Sequence, residues 1–107
     1  MDNYFVLEIS TDATSQISES LKFLANVSTD AANNLLEEIK TKLNLIRISP
    51  HSYPLLTDPV IRGIEYRKAI LSNGRYAIIY SINEEKIWVN LFIDFRRDNR
   101  LLLKDIM

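Results

Sequence analysis

RYAIIYSINEEKIWVNLFIDFRRDN, residues 75–99, is the stretch that decides the fold. Its first half alternates: Tyr76, Ile78, Tyr80 and Ile82 fall on one side, and Arg75, Ala77, Ile79 and Ser81 on the other. Period-two alternation rich in aromatic and β-branched residues predicts a strand over Arg75 to Ile82. Asn83, Glu84 and Glu85 then turn the chain. A second strand follows from Lys86 to Ile93, with Ile87, Val89, Leu91 and Ile93 as a continuous aliphatic face. These two apolar faces are the expected core faces. The opposite faces are mixed, holding Ala77, Ile79 and Ser81 on one strand and Lys86, Trp88, Asn90 and Phe92 on the other. Beyond Ile93 the apolar run stops at Asp94, and Arg96 and Arg97 stand between Asp94 and Asp98.

Working upstream, Ile64 to Leu71 reads as a further strand, joined to the first by a hairpin turn at Ser72, Asn73 and Gly74. Gly74 is free to take positive φ there. The register of this hairpin stays open. A three-residue turn puts Arg67 on the mixed face, whereas a four-residue turn points Arg67 inward and leaves Lys68 outside, because one residue of register flips every side chain. Arg47 to Gly63 holds all three prolines, Pro50, Pro54 and Pro59, and reads as an ordered surface loop with Tyr53, Leu55 and Leu56 tied down.

The first half is helical in pattern. Leu35, Leu36, Ile39, Leu43 and Ile46 recur at three- and four-residue steps, with Glu37, Glu38, Lys40 and Lys42 expected on a solvated face. Ile17, Leu21 and Leu24 form a second stripe, capped at Thr11 or Asp12, and the break at Asn26 to Asp30 offers Ser28, Thr29 and Asp30 as caps. Two such helices with a short join predict an αα-hairpin. Before them Phe5, Leu7 and Ile9 alternate with Tyr4, Val6 and Glu8 as an N-terminal strand. The fold class is therefore α+β: one strand, an αα-hairpin, and a three-stranded antiparallel meander whose sheet packs on the hairpin, all in a single domain spanning 1–107.

Composition narrows the function classes. The chain is 47% hydrophobic and 25% charged, the balance of a soluble globular domain. It has no cysteine, hence no disulfide framework and no thiol nucleophile. An acidic N-terminus with a short apolar run, and no window near the roughly 18 apolar residues of a membrane span, read as cytoplasmic. The net charge of −1 hides an asymmetry. Residues 1–46 carry three bases and seven acids, and residues 47–107 carry ten bases and seven acids. Any anion-binding surface thus belongs to the second half, although no basic field covers the whole protein. No metal-ligand spacing, phosphate loop or nucleotide motif is present, so no metal or cofactor is expected.

The segment from Tyr53 to Asn99, with YRKAIL, then RYAIIYSI, then an aliphatic strand running into DFRRD, resembles the RelE/ParE superfamily of toxins from bacterial type II toxin–antitoxin (plasmid stabilisation) modules. The strand and helix order extends the likeness over the whole chain. The resemblance implies a protein that arrests growth unless a cognate antitoxin neutralises it. Some members cut mRNA on the ribosome, and the ParE-like members bind DNA gyrase. It also allows a homodimer or a toxin–antitoxin hetero-oligomer.

Metal-free mRNA cleavage needs a base, an acid and a cationic clamp. The cleaving relatives carry an Arg three residues before the position of Tyr80, which is Ala77 here, and a His or Tyr near the RRD position, which this chain lacks. Arg75, Arg96 and Glu65 are the catalytic candidates that remain, with Asp94 as a further carboxylate. Arg67, Lys68, Arg75, Arg96 and Arg97 are the candidates for gripping an anion or an acidic target surface. Trp88, Phe92 and Tyr66 are the candidates for antitoxin contact, since large aromatics anchor interfaces. Plain structural roles compete with these: Arg96 and Arg97 pairing with Asp94 and Asp98 in exposed ion pairs of roughly 0–1 kcal/mol each, and His51 as an exposed loop residue. The expected function is a growth-arresting toxin that acts by binding a target such as gyrase. The alternatives are a ribosome-dependent mRNA interferase, or a decayed toxin that only binds its antitoxin.

Overall fold

The computed structural model describes residues 5–56 and 65–98. The expected strand start at Ile64, the far half of the proline loop and the apolar stretch 101–107 lie outside these residues, as do the side chains of Arg97 and Asp98. The chain runs β1 (Val6–Ile9), α1 (Thr11–Val27), α2 (Thr29–Ile48), a 3-10 turn at Pro50–Ser52, β2 (Tyr66–Leu71), β3 (Tyr76–Asn83), β4 (Lys86–Asp94) and the one-turn α3 (Phe95–Asp98). The sheet order is β1-β4-β3-β2, with β1 parallel to β4 and the other pairs antiparallel. This is the expected α+β architecture. No helix among the described residues is long and apolar enough to cross a membrane.

The helices form for local reasons. Ser10 caps α1, its hydroxyl accepting the Ala13 N–H at 3.0 Å, one residue earlier than the expected Thr11 or Asp12. Ser28 caps α2 by accepting from Ala31 at 3.1 Å, and its own N–H closes α1 on the Leu24 carbonyl at 2.8 Å. One serine therefore ends one helix and starts the next, which keeps the hairpin join to a single residue. Leu35, Ile39 and Ile46 of α2 and Ala13 of α1 bury their faces against Ala69, Leu71, Ile78, Tyr80, Ile87 and Val89 of the sheet. At the far end of α2, the Phe5 N–H donates to the Arg47 carbonyl at 3.3 Å, tying the start of β1 to the helix.

The β2–β3 connection resolves the open register. Leu71 pairs with Tyr76, so four residues form the turn; Arg67 points toward the helices and Lys68 lies on the far face opposite Ile79. Ser72, Asn73 and Gly74 all take positive φ, at 51°, 57° and 98°. For Ser72 this is strained backbone, and helix α2 holds it. The Glu38 carboxylate accepts the Ser72 N–H and the Ser72 hydroxyl, both at 2.6 Å. Glu38 is thus a latch between hairpin and helix, not part of a solvated face; Glu37 and Lys40 do remain exposed and paired at 3.7 Å.

The outer edge of β2 is covered by the proline loop. The Leu56 N–H donates to the Tyr66 carbonyl at 2.8 Å and the Lys68 N–H to the Pro54 carbonyl at 3.0 Å, so Pro54 to Leu56 runs as a short extra strand. Tyr53 sits edge-on to Tyr80 with ring centroids 6.3 Å apart and Leu56 packs on the far-face cluster, so these two apolar residues are tied down as expected, whereas Leu55 is exposed.

Candidate functional site

The two faces of the sheet are set by one residue that alternation does not reveal. Tyr80 pairs with Val89 but Ile79 pairs with Leu91, so Asn90 is an extra residue, a β-bulge in β4. Before the bulge Ile87 and Val89 face the helices. After it the phase inverts: Phe92 joins the helix-side core at 1% exposure, and Leu91 and Ile93 turn to the far face. The continuous aliphatic face expected over Ile87 to Ile93 is therefore broken in the middle. Phe92 does not share a surface with Trp88, because it stacks on Tyr76 beneath the helices with centroids 5.4 Å apart. The bulge sits where β1 ends, and side chains of α1 complete the ladder. The Ser10 hydroxyl donates to the Asn90 carbonyl at 2.9 Å, and the Gln16 side-chain carbonyl accepts the Phe92 N–H at 2.8 Å.

The far face consequently has two zones. Toward the β2–β3 turn it is a second apolar cluster of Ala77, Ile79, Leu91 and Ile93, with Leu56 and Phe95 packed on it and Tyr66 at its margin with the groove. Toward the β3–β4 turn it is a groove of about 560 Å³. Tyr66, Ser81, Trp88 and Glu8 form one cross-strand row there, from β2 through β3 and β4 to β1. A small serine between two large aromatics makes the floor of the groove. Ser81 donates to the Asn90 side-chain carbonyl at 3.1 Å, and Lys86 lies over the Trp88 ring at 4.3 Å while pairing with Glu8 at 3.2 Å. Sequence reading placed Trp88 and Tyr66 as candidates but missed Ser81, Asn83 and Asn90, whose only signal was a small or amide residue in an apolar strand.

The cationic candidates divide among separate places. Arg67 is on the helix side, its Nη1 donating to the Tyr53 carbonyl at 2.7 Å and the His51 carbonyl at 3.3 Å, where it pins the proline loop. His51 is exposed and edge-on to Phe5. Arg75 and Arg96 meet at the rim formed by the β2–β3 turn and α3. There the Phe95 N–H donates to the Arg75 carbonyl at 2.9 Å, and the Arg96 N–H donates to Asp94 Oδ1 at 3.0 Å. Asp94, only 2% exposed, takes Arg75 as its ion-pair partner, with Nε at 3.9 Å from Oδ1. The expected pairing of Asp94 with Arg96 is replaced by this one, because Asp94 lies on the face that Arg75 reaches and Arg96 projects to solvent from α3. The Arg75 guanidinium also lies 5.1 Å from the Tyr76 ring centroid.

Glu65 is exposed at the opposite end of β2, in the groove. Six residues separate it from Leu71, where the Arg75 turn begins, which is roughly 20 Å at about 3.3 Å per residue. The catalytic candidates Arg75, Arg96 and Glu65 are thus not brought together. Tyr80, the tyrosine of the strand motif, is fully buried on the helix side and donates to the Pro50 carbonyl at 2.6 Å. Burial pushes its phenol far above the ordinary range; the Arg67 charge opposes that shift and Tyr53 adds to it. Among the described residues no group of three or more His, Cys, Asp or Glu side chains is placed to hold a metal ion.

No protein-family model matches this sequence, and no curated protein matches it. Among solved structures, a chain of the chromosomal ParDE TA system from P. aeruginosa is similar, with a TM-score of 0.68 over 87% of this chain and 98% of that one. The two share 8% sequence identity, so the likeness is one of backbone and not of side chains. With its strand, helix hairpin and three-stranded meander, this protein shares the fold of that chain.

Proposed function

We propose that this chain is the toxin of a type II toxin–antitoxin pair, acting in the cytoplasm by binding its target, with DNA gyrase the target of choice. The fold shared with a ParDE chain supports the toxin reading. The observation that carries binding over cleavage is the separation of Glu65 from the Arg75 and Arg96 rim by the length of β2. A phosphodiester reaching one would not meet the other, and general acid–base chemistry works only within hydrogen-bond reach. At the rim the exposed Arg96 offers a guanidinium group suited to carboxylate or phosphate groups of a target surface, and Arg75, partly exposed and paired with Asp94, stands beside it. Lys68 and Arg97 are further contributors on sequence grounds. The partner is an antitoxin whose segment lies on the far face, against Trp88 and Tyr66.

Induction of the chain alone is expected to arrest growth, and co-expression of the neighbouring reading frame to restore it. Purified protein is expected to inhibit gyrase supercoiling at micromolar concentration, and Arg75→Glu with Arg96→Glu to weaken that inhibition. Growth arrest with active gyrase and new cuts in a reporter message by primer extension would replace this reading with a ribosome-dependent mRNA interferase. Unchanged growth would leave only an antitoxin-binding module.

A further inference from the structure

The groove at the β3–β4 end of the sheet has a chemistry of its own. Tyr66 is nine-tenths buried and lines it, with its ring packed in the apolar cluster of the far face. Trp88, 37% exposed, stands across Ser81 from Tyr66. Glu65 opens the groove at the β2 side with no ion pair among the described residues, and the amides of Asn83 and Asn90 line the other side. About 560 Å³ lies within the usual range of ligand pockets, roughly 300–1,000 Å³.

The charges choose the occupant. Lys86 is neutralised by Glu8. Glu65 and Glu84 also line an adjoining pocket of about 200 Å³ with Arg67, whose Nη1 is engaged by two loop carbonyls. Among the described residues, two carboxylates against one arginine leave an excess negative charge, which repels a phosphate or carboxylate ligand and draws in a cation. The groove is open along the sheet, and its amide groups match the donors and acceptors of an extended main chain.

We propose that this groove receives an extended segment of a partner protein through a lysine or arginine side chain, whose stem lies between Trp88 and Tyr66 and whose charged head meets Glu65. Cation–π attraction to the aromatics and the carboxylate act together on one group. This deepens the antitoxin placement above by naming the chemistry its contacting segment needs. It rests on that reading only for the partner's identity, because the groove's preference can be measured with peptides alone.

Trp88 is the single tryptophan of the chain, so its emission reports on the groove directly. The probes are the pentapeptide acetyl-Ser-Leu-Arg-Leu-Ser-amide, its counterpart with a central glutamate, and adenosine monophosphate. The arginine peptide is expected to give a saturable emission change in the millimolar range or tighter. Its half-saturation should rise about fivefold in Glu65→Gln, corresponding to one exposed charge pair. Glu65 is exposed, so that variant should keep the parent's circular dichroism and urea midpoint. The glutamate peptide and the nucleotide are expected to give no saturable change. Equal or tighter binding of either one, an unchanged half-saturation in Glu65→Gln, or no saturable response to the arginine peptide would each overturn the proposal. Growth arrest and gyrase inhibition can fail without altering these outcomes, so the two readings are tested separately.

Discussion

Replacing Glu38 by alanine is expected to destabilise the protein by about 2 kcal/mol, far more than a helix-surface substitution normally does. The carboxylate makes two bonds of 2.6 Å to Ser72, one to its N–H and one to its hydroxyl, and both are part-buried. A hydrogen bond to a charged group is worth about 1.5–3 kcal/mol when well shielded. Halving that for partial exposure gives about 0.75–1.5 kcal/mol per bond, or about 1.5–3 kcal/mol for the pair. Alanine returns about 0.4 kcal/mol through its better helix propensity. The strain at Ser72, with φ of 51°, remains in the variant without its restraint, so the turn is expected to loosen as well. Urea unfolding at neutral pH measures the difference, with Glu37→Ala as the control, since Glu37 touches only the exposed Lys40. Glu38→Gln should fall between, because an amide keeps one acceptor and turns the other group into a donor. A loss below about 0.5 kcal/mol for Glu38→Ala, the ordinary range for exposed sites, would refute the latch and return Glu38 to the solvated face.

Tyr80 sets a second expectation. Burial favours its neutral phenol in the folded chain, so its folded pKa lies above the unfolded value of 10.0. Its stabilising contribution is complete below about pH 10 and declines as pH rises beyond, because the unfolded chain deprotonates first. Urea midpoints should therefore fall above about pH 10, and fall less steeply in Tyr80→Phe, which at neutral pH costs about 1 kcal/mol for the lost bond to Pro50. Deleting Asn90 should abolish cooperative unfolding, because the residues after the bulge would exchange faces and send Phe92 and Asp94 to the far side. Asn90→Ala keeps the residue count and should cost under about 1.5 kcal/mol, since its backbone carbonyl still accepts from Ser10. Circular dichroism and proton NMR dispersion distinguish the two.

The order of elements was legible because each has a local cause. Hydrophobic period sets helix against strand, Ser28 and Gly74 mark breaks, and the prolines confine the loop. The candidate site was legible in part. Trp88 stood out as an aromatic on a mixed face, Tyr66 as an aromatic candidate for antitoxin contact, and Arg75 and Arg96 as charges at a strand end. Phe92 was misplaced, and Glu38 was taken for a solvated residue. Both misreadings have the same origin. A face or a contact depends on what lies across the sheet or on another helix, and no local period records it.

The sequence by itself determined that this chain would build two amphipathic helices and an antiparallel meander, since backbone preference and apolar spacing act over a few residues. Only the tertiary structure decided which face each side chain would take. One extra residue at Asn90, tolerated because Ser10 and Gln16 satisfy the interrupted ladder, inverts everything after it. Glu65 and the Arg75 rim lie at opposite ends of β2. The length of β2 alone makes that separation, whereas its register with β3, a pairing between segments that neither encodes by itself, turned Arg67 toward the helices and Lys68 to the far face.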